Sequence, residues 1–334
     1  MSQYESEEFM NIFVTGGAGY IGSATAEALL KAGHSVTVYD SLVSGHRAAV
    51  PQGATFVHAD LADTAKLNSV LQNGKFDAVM HLAAYIEAGE SMTDPGRFFE
   101  NNFVNSLRLI EGAVRTGVKR FVLSSTAAVY VSSDAPLTED SPLGPTNVYG
   151  QTKLMIEQAL EWYRQIHGLH FAALRYFNAC GALSNRGEAH QPESHLIPLI
   201  LSVALGQRES VSIFGTDYPT PDGTCIRDYI HIADLVSAHL MVLDALESRD
   251  KLIYNVGSGS GFSVREVLET ARLVSGHPLP AAESMRRAGD SARLVASSEK
   301  IRSELGWSPR HDNLRDILSS AWEWHKSHPK GYED

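Results

Sequence analysis

Tyr149 and Lys153 are the two side chains whose types and spacing most clearly suggest chemistry. They lie four residues apart near the start of a predicted helix over residues 148–166, so both project from one helical face. A phenol has an unperturbed pKa of about 10 and is a weak base at neutral pH unless a nearby cation favours its phenolate. Lys153 can be that cation, and the pair then predicts a general base that removes a proton from a hydroxyl group. The same spacing also describes a packed ring beside a solvated amine, so the prediction depends on the surrounding sequence.

A glycine-rich turn near the N-terminus predicts a dinucleotide site. A short apolar strand over residues 11–15 leads into Gly17, Gly19 and Gly22, spaced G-x-G-x-x-G, and a helix follows over residues 23–32. Positions without a Cβ permit a tight turn, close approach of the backbone to a pyrophosphate, and close packing of the helix on the strand. A second strand ends in Asp40, whose carboxylate suits the ribose 2′-hydroxyl of NAD and would repel the 2′-phosphate of NADP. Because strand, glycines, helix and acid occur in this order, NAD is favoured over a glycine turn that binds nothing.

Apolar strands and helical stretches alternate along the first half of the chain, which predicts an α/β fold with a doubly wound parallel Rossmann sheet. The predicted strands cover residues 12–15, 35–39, 55–58, 78–82, 120–124 and 170–175, and the predicted helices include residues 95–116 and 148–166. Right-handed crossovers align the carboxyl ends of such strands along one edge, where ligands bind. We therefore expect Asp60, residues 81–84 and residues 124–126 on the cofactor side.

The second half of the chain is less regular. Prolines and glycines between residues 192 and 223 predict long loops, and we expect a smaller mixed α/β substrate domain that closes over the cleft. The predicted boundaries are a flexible tail at residues 1–9, a NAD-binding domain at 10–178 and a substrate domain at 179–334, with segments near 226–256 that can return to the first domain. Residues 254–259 resemble a strand and a glycine turn, and could be mistaken for a second nucleotide fold.

Composition narrows the class of protein. The 334 residues, 43% of them hydrophobic, are enough for a large core. Two cysteines, Cys180 and Cys225, argue against a disulfide framework and favour a reducing cytoplasm, and neither cysteine nor histidine spacing predicts a metal site. The net charge of −11 argues against general nucleic-acid binding. No apolar run approaches the ~18 residues of a membrane span, and the acidic N-terminus does not resemble a signal peptide.

These features together resemble the extended short-chain dehydrogenase/reductase family over about residues 11–307. The resemblance is carried by the glycine run, Asp40, Asp60-Leu61, His81-Leu82-Ala83-Ala84, Asn102, Ser124-Ser125-Thr126, Tyr149 with Lys153, and Arg175-Tyr176-Phe177-Asn178. Later motifs at residues 194–198, 215–224, 227–231 and 286–290 resemble the UDP-glucose 4-epimerases within that family. The combination of motifs is much more specific than any one of them.

The resemblance implies a reversible, NAD-dependent 4-epimerisation of UDP-galactose and UDP-glucose. Tyr149 would take the proton of the sugar 4-hydroxyl while hydride leaves C4 for NAD⁺. Thr126 would hydrogen-bond the reacting oxygen, and Lys153 would hold the nicotinamide ribose and lower the phenol pKa. The 4-keto sugar would turn over in the site and take hydride back on its other face, so that NAD is regenerated.

The resemblance also implies two sets of binding residues. The cofactor set is Gly16, Gly17, Gly19, Tyr20, Ile21, Gly22, Asp40, Asp60, Leu61, Leu82, Ala83, Ala84, Asn102, Ser124, Tyr149, Lys153 and Tyr176. The substrate set is Thr126, Tyr149, Asn178, His195, Leu196, Ser212, Phe214, Arg227, Arg287, Asp290 and Leu294. Arg227 and Arg287 would clamp the diphosphate, and Asp290 would bind the uridine ribose. His195 can instead be a satisfied loop histidine, and Asp60 can instead be an N-cap of a helix over residues 62–71.

Three positions depart from the family pattern. Val131 replaces a glycine found in many relatives, and Ile86 replaces a lysine that some relatives place near the cofactor phosphates. Leu294 stands where a bulky tyrosine restricts relatives to UDP-glucose and UDP-galactose, and where a small residue admits N-acetylated sugars. Its intermediate size predicts good activity on UDP-galactose and weak activity on UDP-N-acetylgalactosamine.

Other functions remain open at this stage. A nucleotide-sugar 4,6-dehydratase is disfavoured, because Ala127 and Ala128 replace the Asp-Glu pair that its elimination step needs. A UDP-glucuronate 4-epimerase shares the core motifs and is the main alternative. A catalytically inactive NAD-sensing regulator could afford to lose the catalytic base. The intact Thr126, Tyr149 and Lys153 therefore argue against this function. The resemblance further implies a homodimer joined through the helices over residues 95–116 and 148–166.

Overall fold

The computed structural model describes residues 9–287 and 290–333. Residues 1–8 of the expected tail lie outside the described residues, as do Ala288 and Gly289 of the motif at residues 286–290 and the C-terminal Asp334. None of the helices in the described part of the chain has both the length and the apolar character that crossing a bilayer requires.

The helices and strands alternate along the chain as follows. The strands are β1 (Asn11–Thr15), β2 (Ser35–Asp40), β3 (Thr55–His58), β4 (Ala78–His81), β5 (Arg120–Thr126), β6 (His170–Tyr176), β7 (Asn178–Cys180), β8 (Val211–Phe214), β9 (Ile226–Arg227), β10 (Tyr229–His231), β11 (Lys251–Val256), β12 (Phe262–Ser263), β13 (Ala281–Ser284) and β14 (Arg293–Leu294). The α-helices are α1 (Tyr20–Lys31), α2 (Thr64–Gly74), α3 (Ala88–Ser91), α4 (Pro95–Phe98), α5 (Asn105–Arg115), α6 (Val148–His167), α7 (Leu196–Ala204), α8 (Ile232–Ala245), α9 (Val264–Ser275), α10 (Glu299–Leu305) and α11 (Leu314–Ser327).

A parallel sheet forms the centre of the molecule. In the described residues it has seven strands in the order β11-β6-β5-β4-β1-β2-β3, and every neighbouring pair is parallel. This confirms the predicted doubly wound Rossmann sheet, with the reversal of strand order between β1 and β4 marking the expected ligand crevice. Each of the six strands predicted for the first half of the chain is present within two residues of its predicted ends.

Both faces of the sheet are covered by helices, as its continuous apolar strands require. Helices α1 and α8 pack on one face, where Leu29 and Leu235 join a core with β1 and β6. Helices α2, α5 and α6 pack on the other face through residues that include Leu67, Ile110 and Leu160. The strands are thereby packed on both faces, and their carboxyl ends lie along one edge of the sheet.

The second half of the chain contributes to two regions. Helices α7, α9 and α11 pack with β8 around a separate apolar core that contains Ile200, Leu268 and Leu318. Helix α8 and strand β11, in contrast, belong to the central sheet layer, where β11 pairs with β6. The glycine turn after β11 donates the N–H groups of Ser258 and Gly259 to the buried carboxylate of Asp228. This turn is therefore structural and does not begin a second nucleotide fold.

The predicted helix over residues 95–116 is interrupted. Helices α4 and α5 are separated by a π-helical stretch, Phe99–Val104, which contains Asn102. Such wide turns occur frequently at functional sites. Here the stretch turns the Asn102 side chain towards the backbone of Tyr85, to which it is hydrogen-bonded.

Candidate active site

A cavity of about 1290 Å³ lies along the carboxyl edge of the central sheet and extends to the second apolar core. It exceeds the range of about 300–1,000 Å³ that is usual for a pocket holding one small ligand. Its walls include Asp40 and Ser124 at the sheet edge and His195 and Arg227 from the second half of the chain. The size and the two-sided lining suit two ligands that meet inside it.

The glycine turn between β1 and α1 forms one end of the cavity. Gly16 has a φ of +72°, and a Cβ there would lie 2.5 Å from the backbone nitrogen of Ala83, so only glycine fits. Helix α1 begins after Gly19 with no side-chain cap, which leaves its first N–H groups available to an anion. Gly16, Gly19 and the residues Tyr20 to Gly22 line the cavity, whereas Gly17 packs against Val38.

Asp40 occupies the end of β2 beside this turn. Its two carboxylate oxygens accept hydrogen bonds from the N–H groups of Ala18 (2.9 Å) and Leu42 (2.8 Å). Burial raises the pKa of Asp40 above its ordinary value, and the backbone hydrogen bonds from Leu42 and Ala18 oppose that shift. The carboxylate is held in one orientation and lines the cavity, as a ribose-binding acid requires.

Asp60 lies in the cavity wall with Leu61 and does not cap a helix. Its carboxylate accepts a hydrogen bond from the N–H of Ala62 (2.8 Å), while Asp63 caps α2 by accepting from the N–H of Lys66 (3.0 Å). The N-cap alternative for Asp60 is therefore wrong, because α2 begins two residues later than the predicted helix.

The last residue of strand β4 is buried in the core, whereas the three residues that follow it line the cavity. Leu82, Ala83 and Ala84 line the cavity, as predicted. His81 is buried beneath them, with Nδ1 2.7 Å from the Thr15 hydroxyl and Nε2 2.7 Å from the Ser106 hydroxyl. Burial lowers its pKa to about 3, so His81 is a neutral core residue and its expected place on the cofactor side is corrected.

Asn102 also lies outside the cavity lining, but it positions part of the wall. Its side-chain oxygen accepts from the N–H of Tyr85 (2.8 Å), and its side-chain nitrogen donates to the Tyr85 carbonyl (2.9 Å). Residues 85–90, which line the cavity, are thereby tied to the π-helical stretch.

The three residues predicted to be catalytic meet at the centre of the cavity. Thr126 ends β5, Tyr149 lies in the first turn of α6, and Lys153 follows one turn later. The first turn of α6 approaches the chain after Thr126 closely, since a Cβ on Gly150 would lie 2.3 Å from the Ala128 carbonyl oxygen. The Thr126 side chain lies close enough to Tyr149 to act on its pKa, which it lowers against the larger effect of burial. The hydroxyl and the phenol therefore lie near each other in the folded chain, and their joint role in catalysis stays a prediction.

The electrostatics of this centre differ from the expectation. Burial raises the pKa of Tyr149 to about 12; the hydrogen bond with Thr126 opposes this shift and the charge of Glu87 adds to it. Burial lowers the pKa of Lys153 to about 7, against the opposing charge of Glu157. The ammonium group donates to the Ser124 carbonyl oxygen (2.8 Å) and does not contribute to the pKa of the phenol. In the protein alone, desolvation thus outweighs the predicted effect of Lys153.

Most of the predicted substrate set lines the other end of the cavity: Asn178, His195, Leu196, Ser212, Phe214, Arg227, Arg287 and Asp290. Arg227 approaches Asp290 at 3.4 Å, and the guanidinium of Arg287 lies 4.0 Å from the centre of the Phe214 ring. Leu294 does not line the cavity. It lies in β14, where it pairs with Arg227 of β9, and it packs against a cluster that includes Phe177, which does line the cavity. Of the departures from the family pattern, Ile86 lines the cavity and Val131 is exposed outside it.

The sequence reasoning missed a charged cluster around His195. Its Nδ1 lies 2.7 Å from a carboxylate oxygen of buried Glu188 and 3.0 Å from one of Glu193. Glu188 also approaches Nδ1 of His190 at 3.1 Å. Burial alone would lower the pKa of His195, but the charges and hydrogen bonds of Glu188 and Glu193 raise it above its ordinary value. The acids stand in an irregular loop, where no periodicity distinguishes them from solvated residues.

These four side chains bring their donor atoms within 4.8 Å of one another, which is close enough to hold a metal ion. Metal ligation requires a deprotonated imidazole, however, and the carboxylates favour the protonated form of His195. The cluster is better described as an ion-pair network that fixes a cationic side chain in the wall of the cavity.

Comparisons with known proteins agree with the geometry of the site. The model of the NAD dependent epimerase/dehydratase family matches residues 12–257. A UDP-glucose 4-epimerase of Halalkalibacterium halodurans is 48% identical over 97% of this chain and 98% of its own. A crystal structure of a UDP-glucose 4-epimerase superposes with a TM-score of 0.94 at 48% identity, covering 97% of this chain and 100% of the other. The UDP-glucose 4-epimerase from Brucella ovis in complex with NAD gives a TM-score of 0.91 at 38% identity, covering 97% and 99%.

Proposed function

The chain belongs to the NAD dependent epimerase/dehydratase family, and on that premise we propose that it is an isomerase that interconverts UDP-galactose and UDP-glucose at C4 of the sugar. The observation that carries the proposal is the single cavity with Thr126, Tyr149 and Lys153 at its centre. The glycine turn and Asp40 line one end of this cavity, and Arg227 and Arg287 line the other.

The residues at the first end fit NAD. The turn at Gly16 has no room for a Cβ, the N-terminus of α1 offers N–H groups to a pyrophosphate, and Asp40 offers a fixed carboxylate to a ribose. NAD, when bound, supplies the hydride acceptor and donor for the reaction and a positive charge in its oxidised form. Proton transfer and substrate binding are then carried out by side chains of this protein.

Tyr149 is the proposed base for the C4 hydroxyl. With a pKa of about 12 the phenol of the protein alone is protonated at neutral pH, so its activation requires positive charge beyond that present in the structure. Thr126 acts on the phenol of Tyr149, which supports its proposed role in hydrogen-bonding the same reacting oxygen. Lys153, held against the Ser124 carbonyl, provides an ammonium group deep in the cavity for the ribose of the cofactor.

Inversion requires firm binding of the nucleotide and loose binding of the sugar, so that both faces of C4 can be presented. Arg227, Arg287 and cationic His195 line the nucleotide end, where fixed cations suit a diphosphate. Asp290 lies beside Arg227, which supports its proposed role in binding a ribose hydroxyl. In this arrangement the nucleotide is bound firmly at one end of the cavity, and the sugar lies between the two ends, close to Tyr149. No arginine is proposed to bind the sugar.

We propose three finer properties, which concern the substrate range, the assembly and the location in the cell. Leu294 packs against the cluster that includes Phe177 of the cavity wall. Weak turnover of UDP-N-acetylgalactosamine should therefore rise in Leu294→Ala, and no turnover by either protein would refute the role of Leu294 as a size gate. A homodimer through α5 and α6 is supported by Trp162 and Ile166, which lie one turn apart on α6 and expose 63% and 67% of their surface. Light scattering of wild type and Trp162→Asp tests this assembly. The buried free thiols of Cys180 and Cys225 suit a cytoplasmic location.

The deciding experiment is incubation of the purified protein with UDP-galactose, with chromatography for UDP-glucose and absorbance for NADH. We expect conversion to a constant mixture of the two sugars without net NADH. Absence of conversion would refute the proposed function. Conversion of UDP-glucuronate in its place would then favour a UDP-glucuronate 4-epimerase. No reaction with either sugar would favour a catalytically inactive NAD-sensing regulator.

A further inference from the structure

The part of the cavity wall that contains Tyr149, where the proposed sugar lies, also contains a carboxylate that the proposed epimerisation does not use. Glu87 lines the cavity together with Thr126 and Tyr149. It immediately precedes α3, and the Ser91 hydroxyl at the end of that helix accepts a hydrogen bond from the N–H of Tyr149 (3.2 Å). The segment that carries Glu87 is therefore packed on the first turn of α6, and its charge acts on the phenol.

Glu87 is held in place but its charge is not neutralised. One carboxylate oxygen accepts a hydrogen bond from the N–H of Ile86 (3.0 Å), and among the described residues no lysine, arginine or histidine forms an ion pair with it. Glu90, three residues later in the same wall, differs because it forms an ion pair with Arg97. The cavity thus presents one compensated and one uncompensated carboxylate from the same short segment.

We propose that Glu87 determines the class of sugar by repelling a carboxylate at C6, so that the site takes neutral UDP-hexoses and rejects UDP-uronates. This inference rests on the proposed epimerisation, because it concerns the sugar that Tyr149 meets. C6 is attached to the carbon next to C4, so a C6 carboxylate cannot lie far from the reacting centre. A 4-epimerase must also hold the ring in two orientations, which brings C6 to two positions in the sugar pocket. A fixed charge beside the base therefore acts on C6 in at least one of them.

The expected size of the effect of Glu87 on UDP-uronate binding follows from Coulomb's law. At a separation of about 6 Å and an effective dielectric constant of about 20, the repulsion of two unit charges corresponds to roughly a hundredfold in an equilibrium constant. Water in an open cavity reduces this effect, so an effect of about tenfold to a hundredfold is expected. Ile86 cannot offset it, because this position offers a hydrocarbon side chain where a cation would be needed.

The test is calorimetric titration of the NAD-loaded protein with UDP-glucose and with UDP-glucuronate, for wild type, Glu87→Gln and Glu90→Gln. Wild type should bind UDP-glucuronate at least about tenfold more weakly than UDP-glucose. Glu87→Gln keeps the shape of the side chain and should tighten UDP-glucuronate binding by about tenfold to a hundredfold, with UDP-glucose changed less than about threefold. Glu90→Gln is the matched control, and its effect should be less than about threefold because Arg97 already compensates the charge that it removes.

Equal binding of UDP-glucuronate by wild type and Glu87→Gln would overturn the inference, as would efficient epimerisation of UDP-glucuronate by wild type. Failure of the proposed function is a separate result: wild type would then leave UDP-galactose unchanged. The binding measurement still reports the charge effect in that case, because it does not require turnover. Melting temperatures of the two variants show whether either has lost its fold.

Discussion

Glu157→Gln tests the buried ion pair that supports the catalytic helix. Glu157 lies on α6 one turn after Lys153, and its carboxylate approaches the guanidinium of Arg175 on β6 at 2.6 Å. Both side chains are only 4% exposed, and Ser125 donates a further hydrogen bond to the same carboxylate. Glutamine has nearly the same shape, so the substitution removes the charge and leaves the buried guanidinium without its ion-pair partner.

The expected cost can be stated as a melting temperature. Removing one partner of a buried ion pair costs about 3 to 5 kcal/mol. Unfolding entropy is about 2.1 cal/mol/K per residue, which for 334 residues gives about 0.7 kcal/mol/K. Glu157→Gln should therefore lower the melting temperature by about 4 to 7 °C.

The same substitution should shift the pH dependence of the reaction. Burial lowers the pKa of Lys153 to about 7, and the negative charge of Glu157 opposes that shift. Without Glu157 the pKa falls further, so the ammonium form is lost at a lower pH as the pH rises. A kcat profile should then decline at lower pH in Glu157→Gln than in wild type, which a purely structural defect would not cause.

Thermal unfolding and a pH profile of wild type, Glu157→Gln and Glu161→Gln provide the assay. Glu161 lies one turn further along α6 and pairs with Arg164 and Lys251, but these side chains are 24 to 42% exposed. Its removal should cost about 1 kcal/mol or less. A loss in Glu157→Gln no larger than that in Glu161→Gln would refute the reasoning, as would a failure of Arg175→Met to restore part of the stability in the Glu157→Gln background.

Three further predictions concern the ligands. Tyr149→Phe should retain bound NAD but lose most turnover, since it removes the proposed base; activity near that of wild type would assign the base elsewhere. Asp40→Asn should weaken retention of NAD and relieve repulsion of NADP, which is checked by identifying the nucleotide released on denaturation, and unchanged selectivity would contradict the assignment. Glu188→Gln should lower the pKa of His195, so that affinity for UDP falls as the pH rises from about 6 to 8, whereas wild type stays constant. Parallel calorimetric pH profiles of the two proteins would contradict the role of Glu188.

Local features of the site could be predicted because each depends on a short piece of chain. The strand, glycine turn and helix at residues 11–31 follow from periodicity and from the absence of a Cβ at Gly16 and its neighbours. The acid at the end of β2 follows from its place after an apolar strand. Tyr149 and Lys153 share a helical face because of their spacing. The family resemblance added the remaining predicted residues, most of which line the cavity.

Predictions about individual environments were less accurate. His81 was expected beside the cofactor with its neighbours, but the alternation of a buried strand turned its ring into the core. Asp60 and Asp63 both precede α2, and the fold decided which of them became the cap. The charge of Lys153 was expected to act on Tyr149, but its ammonium group is bonded to a carbonyl and both groups are desolvated.

The sequence by itself determined the fold class, the dinucleotide turn and the helical pair of phenol and amine, because backbone preference and hydrophobic periodicity act over a few residues. The tertiary structure alone decided which distant charges meet: Glu157 with Arg175, Arg227 with Asp290, and an uncompensated Glu87 beside the base. It also decided the direction of each pKa shift, since desolvation depends on what packs around a group. These properties depend on burial and on contacts between remote segments, which no local pattern specifies.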